Sequence, residues 1–273
     1  MKYRTVVILL MISVFLSGFF IWQNNAIIVS NYTFTTSKID DALEGYKIAQ
    51  ISDLHNKEFG KNQLVLLNIL KSEKPDIIVI TGDLADSRNT EIDKALRFVD
   101  GAVKIAPVYY ITGNHEYRFI KDDWDRLMQG MEKIGVILLD DKVIHMETES
   151  SNGFYLLGLS DNDLSNDCLK ALCSQIESDK LQIVLAHEPQ YLNEYSAAGV
   201  DLVFSGHAHG GQFHLPLIGG IVAPDQGLFP RYTSGKYVED GTTMVVSRGL
   251  GNSVIPVRIF NRPEVVIVEL QKT

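Results

Sequence analysis

Five short apolar stretches of this chain each run into a cluster of Asp, Asn, His and Gly, and no other feature constrains the fold as much. The clusters are Asp53-Leu54-His55, Gly82-Asp83, Gly113-Asn114-His115-Glu116, Ala186-His187-Glu188-Pro189 and Ser205-Gly206-His207-Ala208-His209-Gly210-Gly211-Gln212. Ligands of open α/β sheets bind outside the carboxyl ends of the strands. Strands that each end in such a turn are therefore expected to deliver them to one sheet edge. Gathered there, two carboxylates, one amide and the imidazoles are enough to hold two divalent cations.

The strands and helices between the clusters follow from periodicity. Tyr46–Ser52, Ile77–Thr81 and Val108–Thr112 read as strands, with helices over Asn62–Ser72, Glu91–Val99 and Asp122–Lys133. That alternation is the βαβ pattern of a helix-covered, largely parallel sheet. Beyond Gly135 the periods shorten, with strands expected at 136–139, 142–146, 154–159, 182–186, 202–205, 242–247 and 265–270. Helices are expected at 166–174 and 189–197, and the Gly- and Pro-rich segment 215–237 should be a loop. A βα-rich first half joined to a strand-rich second half predicts two packed sheets with helices outside.

Five of the 7 histidines (His55, His115, His187, His207 and His209) lie in the clusters, and only His145 and His214 fall outside them. If the chain stays extended past the first strand, Asp53 and His55 point the same way and can chelate one ion. His207-x-His209 repeats that spacing, but the turn after it can aim the two rings at different ions. Gly82, Gly206, Gly210 and Gly211 permit unusual backbone angles and close approach to a metal. Imidazoles and carboxylates with one amide oxygen suit zinc, iron, manganese or cobalt, and no Cys is near enough to suggest a structural zinc site. Two such ions about 3.5–4 Å apart can hold a hydroxide between them and clamp a phosphoryl oxygen.

At 273 residues, with 45% hydrophobic and 22% charged residues, the chain is an ordinary globular protein with a sizeable core. A net charge of −9 makes nucleic acid an improbable main partner, whereas bound metals can still attract an anionic substrate. Lys2 and Arg4 precede an uncharged apolar stretch running to about Trp22. Residues 1–23 read as a single-pass anchor near the lower length limit for a span, with 24–44 as a tether or first edge strand and 45–273 as the catalytic body. Cations on the short side put that body outside the cytoplasm, at the cell membrane. Secretion after cleavage of a signal peptide is the alternative. Cys168 and Cys173 would lie roughly 8–9 Å apart in a continuous helix, beyond disulfide reach.

In this order Asp-x-His, Gly-Asp, Gly-Asn-His-Glu, His and Gly-His-x-His resemble the calcineurin-like metallophosphoesterase superfamily, over about Tyr46 to Leu270. The apolar N-terminus, the Gly-Gly-Gln after His209 and the run Ser247-Arg248-Gly249-Leu250-Gly251-Asn252-Ser253 resemble its membrane-associated bacterial branch. That branch is similar to phosphodiesterases and to enzymes that cleave the pyrophosphate of UDP-diacylglucosamine, a lipid-A precursor. The resemblance implies a four-layer αββα sandwich of two mixed sheets. It implies that Asp53, His55 and His209 bind one metal and Asn114, His187 and His207 the other, with Asp83 bridging both. His115 is implied as a non-ligand that contacts the phosphate and protonates the leaving group, with Glu116 a supporting partner. Attack of a metal-bridging hydroxide on a phosphodiester or pyrophosphate follows, the substrate being a phosphorylated small molecule or a lipid-linked one. A protein phosphatase or nuclease with the same site, and a non-catalytic metal-dependent scaffold, are the alternatives. Arg248 is a candidate phosphate-binding residue, because a guanidinium forks onto phosphate oxygens. His214 could line the rim, and Phe229 and Tyr232 could touch a base or a lipid.

Overall fold

A computed structural model describes residues 2–147, 153–161, 166–177, 179–252 and 255–273. In chain order they form α1 (Lys2–Asn25), β1 (Ile28–Thr36), β2 (Lys47–Ile51), α2 (Leu64–Glu73), β3 (Ile77–Thr81), α3 (Ile92–Ala102), β4 (Val108–Ile111), α4 (Lys121–Ile134), β5 (Ile137–Leu138) and β6 (Lys142–Met146). There follow β7 (Phe154–Gly158), α5 (Asn166–Cys173), β8 (Leu181–Leu185), α6 (Leu192–Ala197), β9 (Leu202–Ser205), four two-residue strands β10 (His214–Leu215), β11 (Gly219–Gly220), β12 (Val222–Ala223) and β13 (Gly227–Leu228), then β14 (Gly235–Glu239), β15 (Thr242–Val246) and β16 (Glu264–Lys272).

Two six-stranded sheets result, one ordered β1-β16-β2-β3-β4-β5 and the other β14-β15-β9-β8-β7-β6. In the first, β2 to β5 run parallel and β16 runs against β2; in the second, β7, β8, β9 and β15 run parallel between antiparallel edges. Strand alternation decides which core each side chain joins. Ile78 and Ile80 of β3 face α2, α3 and α4, while Ile77 and Val79 face the second sheet, where they meet Leu181, Ile183 and Leu185 of β8. Val184 of β8 turns to the opposite side, among Leu169, Leu172 and Leu192 of the outer helices. Three apolar layers therefore separate four structural ones, which is the expected αββα sandwich. Buried on both faces, β3 can be an unbroken apolar run.

Several boundaries differ from the sequence expectation for physical reasons. The helix expected from Asn62 starts at Leu64, because Asn62 and Gln63 hold left-handed backbone angles (φ 55° and 63°). Of the two readings of segment 24–44, tether or first edge strand, residues 28–36 form the edge strand: β1 pairs in parallel with β16 along all of its length, from Ile28 against Glu264 to Thr36 against Lys272. Its Asn, Thr and Ser fit an edge, which needs little apolar surface. The expected loop 215–237 holds the short ladders β10–β11 and β12–β13 and the start of β14, an edge strand with partly exposed faces. Cys168 and Cys173 share the continuous helix α5 and are not joined by a disulfide. Ser253, the last residue of the 247–253 run, lies outside the described residues.

Helix α1 is exposed around its whole apolar circumference except at its last turn. Gln23 is 3% exposed there. The Asn24 side-chain oxygen accepts from the Arg258 backbone N–H (3.0 Å) and from the Asn252 amide (3.2 Å). Lys57 donates to the Asn24 carbonyl, the Arg262 guanidinium lies 4.7 Å from the Trp22 ring centre, and Phe19 meets Phe260 edge-on at 5.8 Å.

Candidate metal centre

All five clusters lie just past the carboxyl ends of parallel strands: Asp53 after β2, Asp83 after β3, Asn114 after β4, His187 after β8 and His207 after β9. Gln50, buried between the sheets, fixes their separation by donating to Thr81 Oγ1 (3.0 Å) and to the Ser205 carbonyl (2.8 Å). The chain does not stay extended past Ser52, as the Asp-x-His reading assumed. Asp53, His55, Asp83, His207 and His209 all adopt left-handed backbone angles, between φ 43° and 63°. Non-glycine residues held this way store strain that the surrounding fold must overcome, and such strain collects at functional sites. Two glycines make the approach possible. A Cβ on Gly206 would lie 1.9 Å from Ser52 Oγ, and one on Gly82 (φ +86°) would lie 2.6 Å from His187 Nδ1.

The ligand atoms form two groups. Asp53, His55 and His209 bring one atom each within 4.8 Å of one another, and Asp83, His187 and His207 do the same. Asp83 Oδ2 lies between the groups, 3.4 Å from His55 Nε2 and 3.4 Å from His187 Nε2. The turn at 207–209 does aim its two rings at different groups. His207 Nδ1 is 3.1 Å from His187 Nε2, and His209 Nε2 is 3.2 Å from His55 Nε2. The outer nitrogens settle the tautomers. His187 Nδ1–H donates to the Thr81 carbonyl (2.7 Å), and His207 Nε2–H donates to Asp225 (2.8 Å). Each therefore turns its other ring nitrogen inward, as a metal-ligating imidazole does. The Asn114 amide adds a polar atom 3.1 Å from Asp83 Oδ2, while its other end lies 3.0 Å from the Arg118 guanidinium. This donor set fits a divalent metal.

Protonation follows the same logic. Burial pushes His55 down to about 4 and His209 well below the usual imidazole range. Burial alone would raise the Asp83 carboxyl, but His187, His55 and His115 outweigh it and hold it well below the usual range. Burial would likewise lower His187, but Asp83 outweighs it and holds the imidazole well above its usual value. A metal at the second group must displace that proton. Affinity for Mn²⁺ is thus expected to strengthen with rising pH, about tenfold per pH unit for each proton released. Equilibrium dialysis between about pH 6 and pH 8 checks the sign, and an affinity that weakens or stays flat contradicts it.

His115 stands beside the two groups, with Nε2 4.0 Å from Asp83 Oδ2. Its Nδ1 accepts the Ser87 backbone N–H at 3.0 Å and lies 3.6 Å from Asp86, so the ring's proton is left on Nε2. Burial lowers His115, against the pull of Asp83 and Asp86. Glu116 is no ligand. Its two oxygens accept from the backbone N–H groups of Asp83, Leu84 and Gly113, each at 2.9 Å, and of Ala85 at 3.4 Å. Burial, with Asp83 adding to it, pushes this carboxyl up to about 8 against the pull of those donors.

The Arg248 guanidinium lies 3.8 Å from Glu264, and the Arg248 carbonyl accepts from Arg258. Arg258 organises the same segment. Fully buried, it also donates to the Asn252 side chain (2.9 Å) and to the Gly251 carbonyl, fixing the loop that packs on Asp53. Gln212 donates to the carbonyls of Ile255 (2.8 Å) and Val257 (2.7 Å), and Asn261 donates to that of His209 (2.7 Å). The His145 ring lies tilted against that of Tyr155 (4.8 Å between centres), and the His214 backbone N–H donates to the Ile259 carbonyl. A cleft of about 450 Å³ opens beside His55, lined by Asn56, Asp86, Arg88 and Lys94 among others.

The fold and this cluster of imidazoles and carboxylates define a metal-dependent phosphoesterase, a hydrolase that uses divalent metal. The chain belongs to the calcineurin-like phosphoesterase family, which it matches over residues 46–211. It is similar to the metallophosphoesterase YkuE of Bacillus subtilis, 29% identical over 252 residues that cover 89% of this chain and 85% of the relative. YkoQ of the same organism is 28% identical over 221 residues, covering 80% and 81%. A zebrafish (Danio rerio) transmembrane protein with a metallophosphoesterase domain is 27% identical over 250 residues, covering 86% of this chain and 55% of its own. Among solved structures, TT1561 of Thermus thermophilus aligns with TM-score 0.48 and 13% identity over 76% of this chain and 90% of that one.

Proposed function

We propose that the chain is a dinuclear phosphohydrolase that cleaves a phosphodiester or pyrophosphate bond. In this reading Asp53, His55 and His209 hold one ion, Asn114, His187 and His207 the other, and Asp83 touches both. The supporting observation is the single Asp83 oxygen equidistant from the two groups. Bound there, the ions supply Lewis-acid charge and a water activated near neutral pH. The chain's own residues do the rest. Ser87 fixes the His115 tautomer, so that Nε2–H is the donor offered to the leaving oxygen. His115→Ala is expected to lower kcat about 10²–10⁴-fold while metal content stays unchanged. Bis-(p-nitrophenyl) phosphate and p-nitrophenyl phosphate, assayed with Mn²⁺-loaded full-length protein, test the reaction and rank diester against monoester. No turnover of the diester with any of Mn²⁺, Zn²⁺, Fe²⁺ or Co²⁺ would count against it.

The same reading places the protein in a membrane through α1, with its body outside the cytoplasm and its substrate, a phosphorylated small molecule or a lipid-linked one, at the cell envelope. Helix α1 is about 35 Å long at 1.5 Å per residue, enough for a hydrocarbon core. A retained helix is favoured over a cleaved signal because the last turn of α1 is built into the body through Gln23 and Asn24. A chain beginning at Ala26 is therefore expected to be about 1–3 kcal/mol less stable to urea than one beginning at Phe19, through the partners it strands on Arg258 and Asn252. Equal midpoints would favour a removable segment.

A further inference from the structure

The hairpins β10–β11 and β12–β13 form a roof on the edge of the sandwich that carries the metal-binding residues. Gly211 packs backbone to backbone on Gly220, and Asp225, between β12 and β13, reaches His207. The outer surface of this roof is apolar and exposed: Leu217 entirely, Ile218, Leu228 at 70% and Phe229 at 67%. Leu217 and Phe229 hold left-handed backbone angles (φ 69° and 55°), where a bulky side chain is strained and glycine is not. The turns supply those angles, with the Ile218 N–H on the Leu215 carbonyl (3.2 Å) and the Phe229 N–H on that of Ile221 (2.9 Å), yet both positions carry bulky apolar side chains that stand in solvent.

The roof is continuous with the anchor. Phe213 pairs with Ile259, and His214 donates to the Ile259 carbonyl, which sets β10 beside Phe260. Phe260, also left-handed (φ 51°) and half-exposed, meets Phe19 of α1. Trp22 and Arg262, an aromatic ring under a guanidinium, sit at that junction, as such pairs do where a helix leaves the hydrocarbon. Exposed apolar residues next to a helix that is itself apolar all round mark a surface that water does not normally cover.

We propose that the roof tips, Leu217-Ile218 and Leu228-Phe229, enter the same bilayer that holds α1. The metal edge then faces the membrane at headgroup level. This rests on the reading of α1 as a retained anchor. Full-length protein is reconstituted into vesicles of phosphatidylcholine and phosphatidylglycerol, with and without brominated acyl chains. Single variants L217W, F229W, F15W and K104W are compared with the parent, whose Trp22 and Trp124 set a common baseline. Phe15 reports on the anchor, and Lys104 is exposed just before β4, at the end of the sheet opposite the metal residues. The proposal expects the added emission of L217W and F229W to be blue-shifted and mostly lost to bromine, as in F15W, with K104W unaffected. If F15W is quenched while L217W and F229W behave like K104W, the roof stands clear of the bilayer and the proposal fails with the anchor intact. A blue shift without quenching means that protein covers the tips, which also overturns it. An unquenched F15W removes the anchor and the proposal together.

Discussion

Asp83→Ala is expected to abolish measurable phosphoester hydrolysis, with a fall in kcat/KM of at least about 10²–10³-fold. The reason is geometric. One oxygen of this carboxylate serves His55 and His187 alike, at 3.4 Å from each, so its loss strips a shared anion from both groups. The imidazoles left behind would offer only lone pairs and protons to one another, and two cations held close together would lack the charge that moderates their repulsion. Asp83→Asn keeps the shape but halves the acceptor capacity, so activity should fall nearly as far. Steady-state rates against bis-(p-nitrophenyl) phosphate over a range of Mn²⁺ concentrations check this. A variant restored to parent rates by excess metal would show that Asp83 contributes to affinity alone.

The second large effect is structural. Glu116→Ala is expected to destabilise the protein by at least about 1–3 kcal/mol, the cost of one buried donor left unsatisfied, read from the urea midpoint. Its carboxylate is the common acceptor for backbone N–H groups of the loops after β3 and β4, and alanine leaves them buried with no partner. Glu116→Gln should also be destabilising, by a smaller amount, because its amide nitrogen would confront two of those donors. A Glu116→Ala protein that unfolds at the parent midpoint would mean that water replaces the carboxylate. Metal should bind that variant more weakly even where it stays folded, since the same loops carry Asp83 and Asn114.

The motif residues were legible in the sequence because a buried parallel strand announces itself by its apolar run, and the residue two or three places past its end is then fixed in space. Asp53, Asp83, Asn114, His187 and His207 all follow that rule. So did the two-layer sheet core, since alternate residues of β3 and β8 had to be apolar on both faces. Residues that act through tertiary contact were not legible. Ser87 and Asp86 orient His115 from a turn without periodicity, and Asp225 reaches His207 from a segment that reads only as loop. The role of Arg258 has the same origin: it stands alone among Val257, Ile259 and Phe260, which is how a buried guanidinium looks in a sequence. The left-handed backbone at Asp53 and His55 gave only a weak signal, because Asp and His adopt it more often than most residues but far less readily than Gly.

Metal stoichiometry decides whether a pair of ions shares Asp83. Full-length protein, stripped and reloaded with Mn²⁺, would be weighed for metal by elemental analysis beside Asp83→Ala and His115→Ala. Two ions per chain are expected in the parent and in His115→Ala, and at most one, weakly held, in Asp83→Ala. One ion in the parent, or two retained without Asp83, would contradict the shared pair.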